Sequence, residues 1–182
     1  MTVHSSTETS MTDALKTRLR HVPDFPKAGI LFYDVTTLLR DPDGFRIAID
    51  SLTSPFAGAE IDLVVGIESR GFILGSAVAD RLGTGFVPVR KLGKLPAETI
   101  RASYSLEYGT DSLEMHRDAV TPGQRVLIVD DLLATGGTAS AAVQLVKELG
   151  GVVVGAAFLI ELLGLDGRSK LKGESIHTVL AY

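Results

Sequence analysis

The sequence predicts an α/β fold with a central, mostly parallel sheet that helices flank. Short β-branched runs alternate along the chain with segments of helical spacing. Two of the helical segments end at a glycine, Gly83 and Gly150, and a β-branched run follows each. Strands that alternate with helices form parallel sheets with right-handed crossovers.

The elements are predicted in chain order as follows. A helix is expected over residues 11–20, an irregular loop over 21–34, and a helix that Asp41 caps and Pro42 begins, ending near Phe56. Later helices are expected over 71–82 and 138–149. Strands are predicted over residues 62–67, 85–89, 125–129, 152–161 and 175–181.

The middle of the chain has a different pattern. Residues 90 to about 103 show no periodicity and are rich in Lys and Arg, which predicts a flexible loop. Residues 104–108 and 112–116 alternate on either side of Gly109-Thr110, which predicts a hairpin turning at those two residues.

Length and composition bound the kind of protein. We expect one domain over residues 11–182 and a disordered Ser/Thr-rich tail over residues 1–10 of the 182. The absence of Cys excludes disulfides, thiolate metal sites and a Cys nucleophile. The first residues lack the pattern of a signal peptide, and no apolar run has the length of a membrane span. We therefore expect a soluble, cytoplasmic protein that has no membrane partner.

The charge balance argues against a nucleic-acid partner. Lys and Arg total 18, Asp and Glu total 22, and the net charge is −4. Nucleic-acid binding usually requires a basic surface, whereas a local basic cluster for a small anion remains compatible with this balance. The four His show no metal-ligand spacing, and none is assigned a chemical role.

The most informative motif spans residues 126–138. An apolar run ends in Asp130-Asp131, and a Thr135-Gly136-Gly137-Thr138 turn opens the next helix. Backbone amides of such a turn, at a helix N-terminus, suit a phosphate. The carboxylates precede the turn and suit ribose hydroxyls or a Mg²⁺ bound to ligand oxygens. The motif lacks the lysine of a Walker A loop and the G-x-G-x-x-G of a dinucleotide site. The alternative is an ordinary strand-to-helix turn with a capping acid.

Two further turns fall at predicted strand ends, where open α/β sheets bind ligands. Residues 68–71 place Arg70 where it holds a second anion or, alternatively, is a surface arginine beside a helix-capping serine. The basic loop contains Arg90, Lys91, Lys94 and Arg101, and it is either a solvated connection or a lid that neutralises a polyphosphate.

Together these segments resemble the type I phosphoribosyltransferases and, among them, the adenine phosphoribosyltransferases, from about Thr12 to Tyr182. Five segments carry the resemblance in the same order along the chain: 25–30, 68–72, 90–96, 102–109 and 129–138. The resemblance implies the type I phosphoribosyltransferase fold, with a small N-terminal hood over about residues 21–35 and a flexible loop and hairpin over the site.

The resemblance also implies a homodimeric cytoplasmic enzyme of purine salvage. It would convert adenine and 5-phospho-α-D-ribose 1-diphosphate (PRPP) into AMP and diphosphate. Mg²⁺ would be bound through PRPP, without a direct protein ligand.

Residue roles follow from the same resemblance. Ala134, Thr135, Gly136, Gly137 and Thr138 would hold the 5′-phosphate, and Asp130 and Asp131 the ribose. The diphosphate group would be bound by Glu68, Ser69, Arg70, Lys91 and Lys94, with a non-proline cis peptide in the 68–70 segment. Adenine would be contacted by Leu31, Phe32, Tyr33, Arg90 and Tyr108. The catalytic residues would be Glu107, Arg70 and Lys91, with Glu107 as the acid near adenine N7.

Two positions depart from the family pattern. Ala28 stands where a proline is frequent, and Tyr33 stands where many relatives have arginine. Both are tolerable if the hood recognises the base through main-chain groups.

Other functions remain open at this point. A phosphoribosyltransferase for another base, such as hypoxanthine/guanine, xanthine or orotate, would share the 126–138 motif, although the hood and hairpin favour adenine. A non-catalytic regulator that senses PRPP and binds nucleic acid would need a further domain or a basic face. A degenerate sensor is disfavoured because Glu107, Arg70 and Lys91 are all present.

Overall fold

The computed structural model describes residues 11–106 and 109–182, so the predicted tail at 1–10 lies outside the described residues. Contacts divide the chain into two compact units, Met1–Ser51 and Leu52–Tyr182. Within the described ranges, every helix is too short or too polar to cross a bilayer.

The first unit combines short helices with a small hairpin. Its elements are α1 (residues 11–16), β1 (Arg20–Pro23), β2 (Leu31–Asp34), α2 (Thr36–Arg40) and α3 (Pro42–Thr53), which contains the boundary between the units. The prediction of an irregular loop over 21–34 is therefore wrong at both ends, where the chain forms β1 and β2. β1 and β2 pair in antiparallel register from Arg20 opposite Asp34 to Pro23 opposite Leu31, and only the connection between them is irregular.

The start of α3 confirms the predicted capping acid. Asp41 Oδ1 accepts a hydrogen bond from the Gly44 backbone N–H at 2.6 Å and another from Arg18 Nε at 2.9 Å. These contacts, the Gly44 amide first, hold the pKa of Asp41 below its usual value. Pro42 begins the helix, where its missing N–H costs no hydrogen bond.

The second unit contains a seven-stranded sheet in the order β5-β6-β4-β3-β7-β8-β9. The strands are β3 (Leu63–Ile67), β4 (Gly85–Lys91), β5 (Thr99–Leu106), β6 (Gly109–His116), β7 (Arg125–Leu133), β8 (Val152–Glu161) and β9 (Ile176–Ala181). In this order, each neighbouring pair from β4 to β9 is parallel. β6 pairs in antiparallel register with both β4 and β5. The predicted mostly parallel sheet is confirmed.

Three strand boundaries correct the sequence predictions. β7 continues to Leu133, so Asp130 and Asp131 lie inside the strand near its carboxyl end rather than after it. β4 reaches Lys91 and β5 begins at Thr99, so the predicted loop over 90–103 contracts to residues 92–98. Backbone pairing with β6 extends both strands into a segment that has no periodicity of its own.

The hairpin is confirmed, but its turn is not where it was predicted. Leu106 pairs with Gly109 and Ser105 with Thr110, so Gly109 and Thr110 belong to β6. Glu107 and Tyr108, which connect the two strands in sequence, lie outside the described residues.

Two longer helices of the second unit confirm the predicted ones. These are α4 (Arg70–Leu82) and α5 (Gly137–Glu148), and short 3₁₀ segments span Ser54–Phe56, Leu163–Leu165 and Gly167–Leu171. Gly83 ends α4 in left-handed conformation with φ of 70°. The apolar core between sheet and helices is built mainly from Val, Ile, Leu and Ala, with Phe158 and Met115 among its largest buried side chains.

Candidate functional site

A cavity of about 390 Å³ lies in the second unit, where the carboxyl end of β7 meets the segment after β3. Its lining consists of Glu68, Ser69, Arg70, Lys91, Tyr104, Asp111, Asp130, Asp131 and Leu132 through Thr138. The three turns that sequence reasoning selected separately therefore contribute to one cavity.

The Gly-rich turn supplies an open helix N-terminus. Gly136 precedes α5 with φ of 75°, and no side chain of the described residues caps this helix. Gly136 and Gly137 are buried, whereas Thr135 is exposed. An uncapped helix start leaves backbone N–H groups directed outward with favourable potential for an anion. The turn has the geometry expected of a phosphate site.

Two adjacent carboxylates stand beside this turn. Asp130 and Asp131 are each only 7% exposed. Burial, with the neighbouring charge of Asp131, raises the pKa of Asp130 well above its usual value. A methyl group on Gly71 would lie 2.7 Å from Asp130 Oδ1, so the glycine allows the first turn of α4 to approach this acid. The pair offers several oxygen acceptors to a polar ligand.

Arg70 is held at the cavity by the second of these acids. Its Nε donates to Asp131 Oδ2 at 2.5 Å, and its side chain remains 38% exposed. It begins α4 after Ser69, whose peptide bond with Glu68 is cis, as the resemblance implied. The guanidinium is thus fixed but accessible to an anion.

Glu68 binds cations rather than presenting a free anion. Its carboxylate accepts hydrogen bonds from Arg90 Nε at 3.1 Å, the Lys91 backbone N–H at 3.1 Å and Lys94 Nζ at 2.9 Å. Burial raises the pKa of Glu68, but these three donors outweigh it and leave the pKa below its usual value. Arg90 also lies over the Phe72 ring, 5.8 Å from its centroid.

Sequence reasoning did not assign a role to Tyr104 or Asp111, although both line the cavity. Asp111 Oδ2 lies 3.2 Å from Lys91 Nζ and accepts a hydrogen bond from the Tyr104 hydroxyl at 3.1 Å. The backbone N–H of Ser112, with Lys91 and Tyr104, holds the pKa of Asp111 below its usual value. Burial and Asp111 raise the pKa of Tyr104 to about 12. Cross-strand pairing of β5 with β6 brings Tyr104 opposite Asp111. The alternating pattern predicted this hairpin, but it placed the turn at Gly109-Thr110 and so did not predict this register.

Among the described residues of the second unit, Arg90 and Lys94 are predicted site residues that lie outside this lining. Lys94 and Arg90 reach the cavity only through Glu68. In the first unit, Phe32 contacts Phe25 and Tyr33 contacts His21, each edge to face at 5.2 Å, and Leu31 is 44% exposed. Glu107 and Tyr108 lie outside the described residues.

The donor set bears on metal binding. Over the described residues, no group of three or more His, Asp or Glu is arranged to hold a metal ion. The cavity offers the Asp130 and Asp131 carboxylates, and Asp131 already accepts from Arg70. Mg²⁺ commonly binds through one or two carboxylates, water and substrate phosphates. These residues fit a Mg²⁺ that is held largely by ligand oxygens.

Comparison with known proteins agrees with this geometry. The model of the phosphoribosyl transferase domain family matches residues 43–179. An adenine phosphoribosyltransferase of Solibacter usitatus is 60% identical over 168 residues, which cover 92% of this chain and 97% of that protein. The chain belongs to the adenine phosphoribosyltransferase family. As a family member it is an enzyme of the pentosyltransferase class.

Solved structures of the adenine phosphoribosyltransferase family share the whole fold. The crystal structure of the Rhodothermus marinus protein is similar with a TM-score of 0.92 and 56% identity, covering 96% of this chain and 99% of that one. The structure of the Saccharomyces cerevisiae protein, in complex with an imino-altritol bisphosphate and adenine, is similar with a TM-score of 0.89 and 45% identity. It covers 94% of this chain and 99% of that one. The predicted type I phosphoribosyltransferase fold is confirmed.

Proposed function

We propose that this chain transfers the 5-phosphoribosyl group of PRPP to N9 of adenine, forming AMP and diphosphate in purine salvage. The observation that carries the proposal is the single cavity in which an uncapped helix N-terminus adjoins two buried acids and the cations Arg70 and Lys91. Such a cavity matches the phosphate, hydroxyl and diphosphate groups of PRPP. Adenine is favoured over other bases because the relatives reported above are adenine phosphoribosyltransferases.

The phosphoribosyl half of the substrate is assigned to the turn and the acids. Ala134, Thr135, Gly136, Gly137 and Thr138 bind the 5′-phosphate through backbone N–H groups and threonine hydroxyls. Asp130 and Asp131 accept hydrogen bonds from the ribose hydroxyls. Because these carboxylates are buried beside the turn, they orient a ribose whose phosphate is fixed at α5.

The diphosphate half is assigned to the residues around the segment 68–70. Arg70 and Lys91 neutralise charge that develops on the departing oxygens as the anomeric carbon becomes cationic. Glu68, Ser69 and Lys94 complete this part of the site, in which the Glu68 carboxylate holds Lys94 and Arg90 until diphosphate competes for their charge. When bound, Mg²⁺ would supply further charge neutralisation between the phosphate oxygens.

The base half of the reaction rests on the resemblance. Leu31, Phe32, Tyr33, Arg90 and Tyr108 are proposed to contact adenine. Glu107 is proposed to protonate N7, which keeps the attacking base near neutral as N9 loses its proton. The extent of the single domain, 11–182, and of the hood, 21–35, also remains a prediction.

The resemblance also supports proposals about the metal requirement, the oligomeric state, the location and the partners. We propose Mg²⁺ dependence, a homodimer in solution and a cytoplasmic location, with no nucleic-acid or membrane partner. Light scattering of the purified protein tests the dimer, cell fractionation tests the location, and titration of activity with Mg²⁺ in a chelated buffer tests the metal requirement.

A base-by-base assay tests the central proposal. Purified protein with Mg²⁺ and PRPP is incubated separately with adenine, guanine, hypoxanthine, xanthine and orotate, and nucleotide and diphosphate are quantified. We expect AMP and diphosphate in equal amounts from adenine alone. A comparable rate with any other base would overturn the specificity, and absence of product with every base would overturn the activity.

The acid role of Glu107 has its own test. Glu107→Gln keeps the size of the side chain but removes its proton-donating group. We expect turnover to fall far more than the affinity for PRPP, measured by single-turnover kinetics and direct binding. Unchanged turnover would remove Glu107 as the acid.

A further inference from the structure

Residues 134–138, proposed to bind the 5′-phosphate and called the phosphate turn below, rest against a second segment of the chain that has no role in the proposed function. We call residues 162–171, between β8 and β9, the backing segment. A Cβ built on Gly136 would lie 2.3 Å from the carbonyl oxygen of Gly167, and a Cβ on Gly167 would lie 2.3 Å from the carbonyl oxygen of Ala134. Because both contacts are with backbone atoms, neither is relieved by a side-chain rotation.

The backing segment is fixed to the sheet at its first residues. The Leu162 backbone N–H donates to the carbonyl of Leu133 at 2.9 Å, and the Leu163 N–H donates to that of Tyr182 at 2.8 Å. The first of these bonds joins the segment to the last residue of β7, directly before the turn. The turn and one end of the backing segment are therefore both attached to the carboxyl end of β7.

A two-pronged ion pair fixes the segment at its middle. Arg168 Nε donates to Glu161 Oε1 at 2.7 Å and its Nη2 donates to Oε2 at 2.8 Å. Thr178 of β9 donates to the same carboxylate at 2.9 Å, and Glu161 is 4% exposed. Parallel N–H···O bonds of this type fix orientation as well as distance. Arg168 follows Gly167 directly, so the pair limits how far the Gly167 backbone can move.

We propose that Glu161, Arg168 and Gly167 are positioning residues for the 5′-phosphate turn, an inference that rests on the proposed function. The ion pair holds Gly167, and Gly167 holds the backbone of Ala134 and Gly136 from behind. Backbone amides bind phosphate well only when their directions converge, and small displacements reduce binding steeply. Loss of the support therefore reduces affinity for phosphoribosyl ligands and leaves affinity for adenine unchanged.

Two glycines of the backing segment provide a matched pair of variants. Gly167→Ala pushes a methyl group toward the Ala134 carbonyl, whereas Gly164→Ala meets no heavy atom within 4 Å. Neither glycine has left-handed backbone, so strain in φ does not distinguish them. We expect Gly167→Ala to raise the KM for PRPP by about tenfold or more. Gly164→Ala, and the KM for adenine in both variants, should stay within about twofold of the wild-type values.

A second pair of variants covers failure of Gly167→Ala to fold. Arg168→Lys keeps the positive charge but loses the two parallel N–H donors. Arg168→Gln loses the charge as well as the parallel donors. We expect the KM for PRPP to rise in the order wild type, Arg168→Lys, Arg168→Gln, with a smaller change in kcat. Thermal unfolding identifies any variant that is not folded at the assay temperature, and such a variant is replaced by the next in this series.

Binding of ribose 5-phosphate, measured by calorimetry, separates this inference from the proposed function. If the wild type binds ribose 5-phosphate and the folded variants bind it more weakly, the positioning role holds even without turnover of adenine. An unchanged affinity in folded Gly167→Ala or Arg168→Gln would overturn it. Equal losses of affinity for PRPP and adenine would also overturn it, because they would indicate a general structural defect.

Discussion

Asp131 and Arg70, 61 residues apart in sequence, are joined by a hydrogen bond from Nε to Oδ2 of 2.5 Å. The acid is almost buried and the guanidinium is partly exposed, so this contact orients a cation toward the cavity. A substrate anion then binds an arginine whose side-chain freedom is already reduced, which lowers the entropic cost of binding.

Asp131→Asn tests the value of this orientation. The amide keeps the shape but loses a charged acceptor, and hydrogen bonds to charged groups contribute about 1.5–3 kcal/mol. We expect the affinity for PRPP to fall by roughly 10- to 100-fold, measured by equilibrium binding. Asp80→Asn, an exposed acid on α4 outside the cavity lining, is the control. Wild-type affinity in Asp131→Asn would show that the pair does not prepare the site.

Glu68→Gln should strengthen binding of the product diphosphate, whereas Asp131→Asn should weaken binding of PRPP. The Glu68 carboxylate holds Lys94 and Arg90, and so competes with diphosphate for their charge. Solvent screens these pairs on the side of Arg90 and Lys94, which are 32% and 49% exposed, so each pair contributes about 0.2–1 kcal/mol. We therefore expect diphosphate to inhibit the variant about two- to fivefold more tightly. Product-inhibition kinetics against PRPP measure this.

Glu98→Gln is the matched control for that experiment. Glu98 is 89% exposed and lies 3.8 Å from Arg117, outside the cavity lining. Inhibition by diphosphate should be unchanged in this variant. Weaker inhibition in Glu68→Gln would show that its carboxylate assists diphosphate binding instead of opposing it.

Tyr104 should titrate apart from an ordinary tyrosine. Burial, then Asp111, raises its pKa from 10.0 to about 12, so the phenol stays protonated at higher pH. The difference between the tyrosinate absorbance curves of the wild type and Tyr104→Phe isolates this group among the four tyrosines. Asp111→Asn should lower the pKa of Tyr104 part of the way back. A Tyr104 that titrates near 10.0 in the wild type would contradict the contact with Asp111.

Ionisation of Glu161 makes the stability of the folded protein depend on pH. Hydrogen bonds from Arg168 are the largest cause that lowers its pKa from the ordinary 4.5. A carboxylate whose pKa is lower in the folded state stabilises the fold above the unfolded pKa and loses this contribution as pH falls through the folded pKa. Arg168 is 46% exposed, which reduces the gain to about 1–2 kcal/mol.

The measurement is urea unfolding at several pH values from about 7 to about 3. Glu161→Gln should be less stable than the wild type at neutral pH, and the difference should shrink in acid. Exposed Glu148 supplies a control, because Glu148→Gln should leave the acid dependence unchanged. A difference between Glu161→Gln and wild type that persists below the folded pKa would point to packing instead of charge.

Local signals in the sequence predicted the elements they encode. Gly83 and Gly150 end their helices in left-handed conformation, and Asp41 caps α3, because one residue and its immediate neighbours determine each of these features. The strand over 152–161 was predicted with the bounds of β8, since it is a buried apolar run between two turns.

Features that depend on distant partners were not predictable in this way. β4 and β5 extend beyond their apolar runs because β6 supplies hydrogen bonds. The five-residue α2 is too short to show a helical period, and its start is fixed by Asp34 accepting from the Thr36 amide at 2.9 Å. Asp111 at the cavity and Arg168 behind the turn acquire their positions only when strands pair.

The two adjacent glycines of the phosphate turn are constrained from different sides. A methyl group at Gly136 would meet the Gly167 carbonyl, and one at Gly137 would lie 2.8 Å from the Tyr104 ring. Libraries that aim to widen the range of sugar phosphates accepted by this enzyme should therefore leave both glycines unchanged. Thr135 is the exposed residue of the same turn, so its side chain can be varied without displacing either glycine, and each replacement tests its proposed hydroxyl contact with the 5′-phosphate.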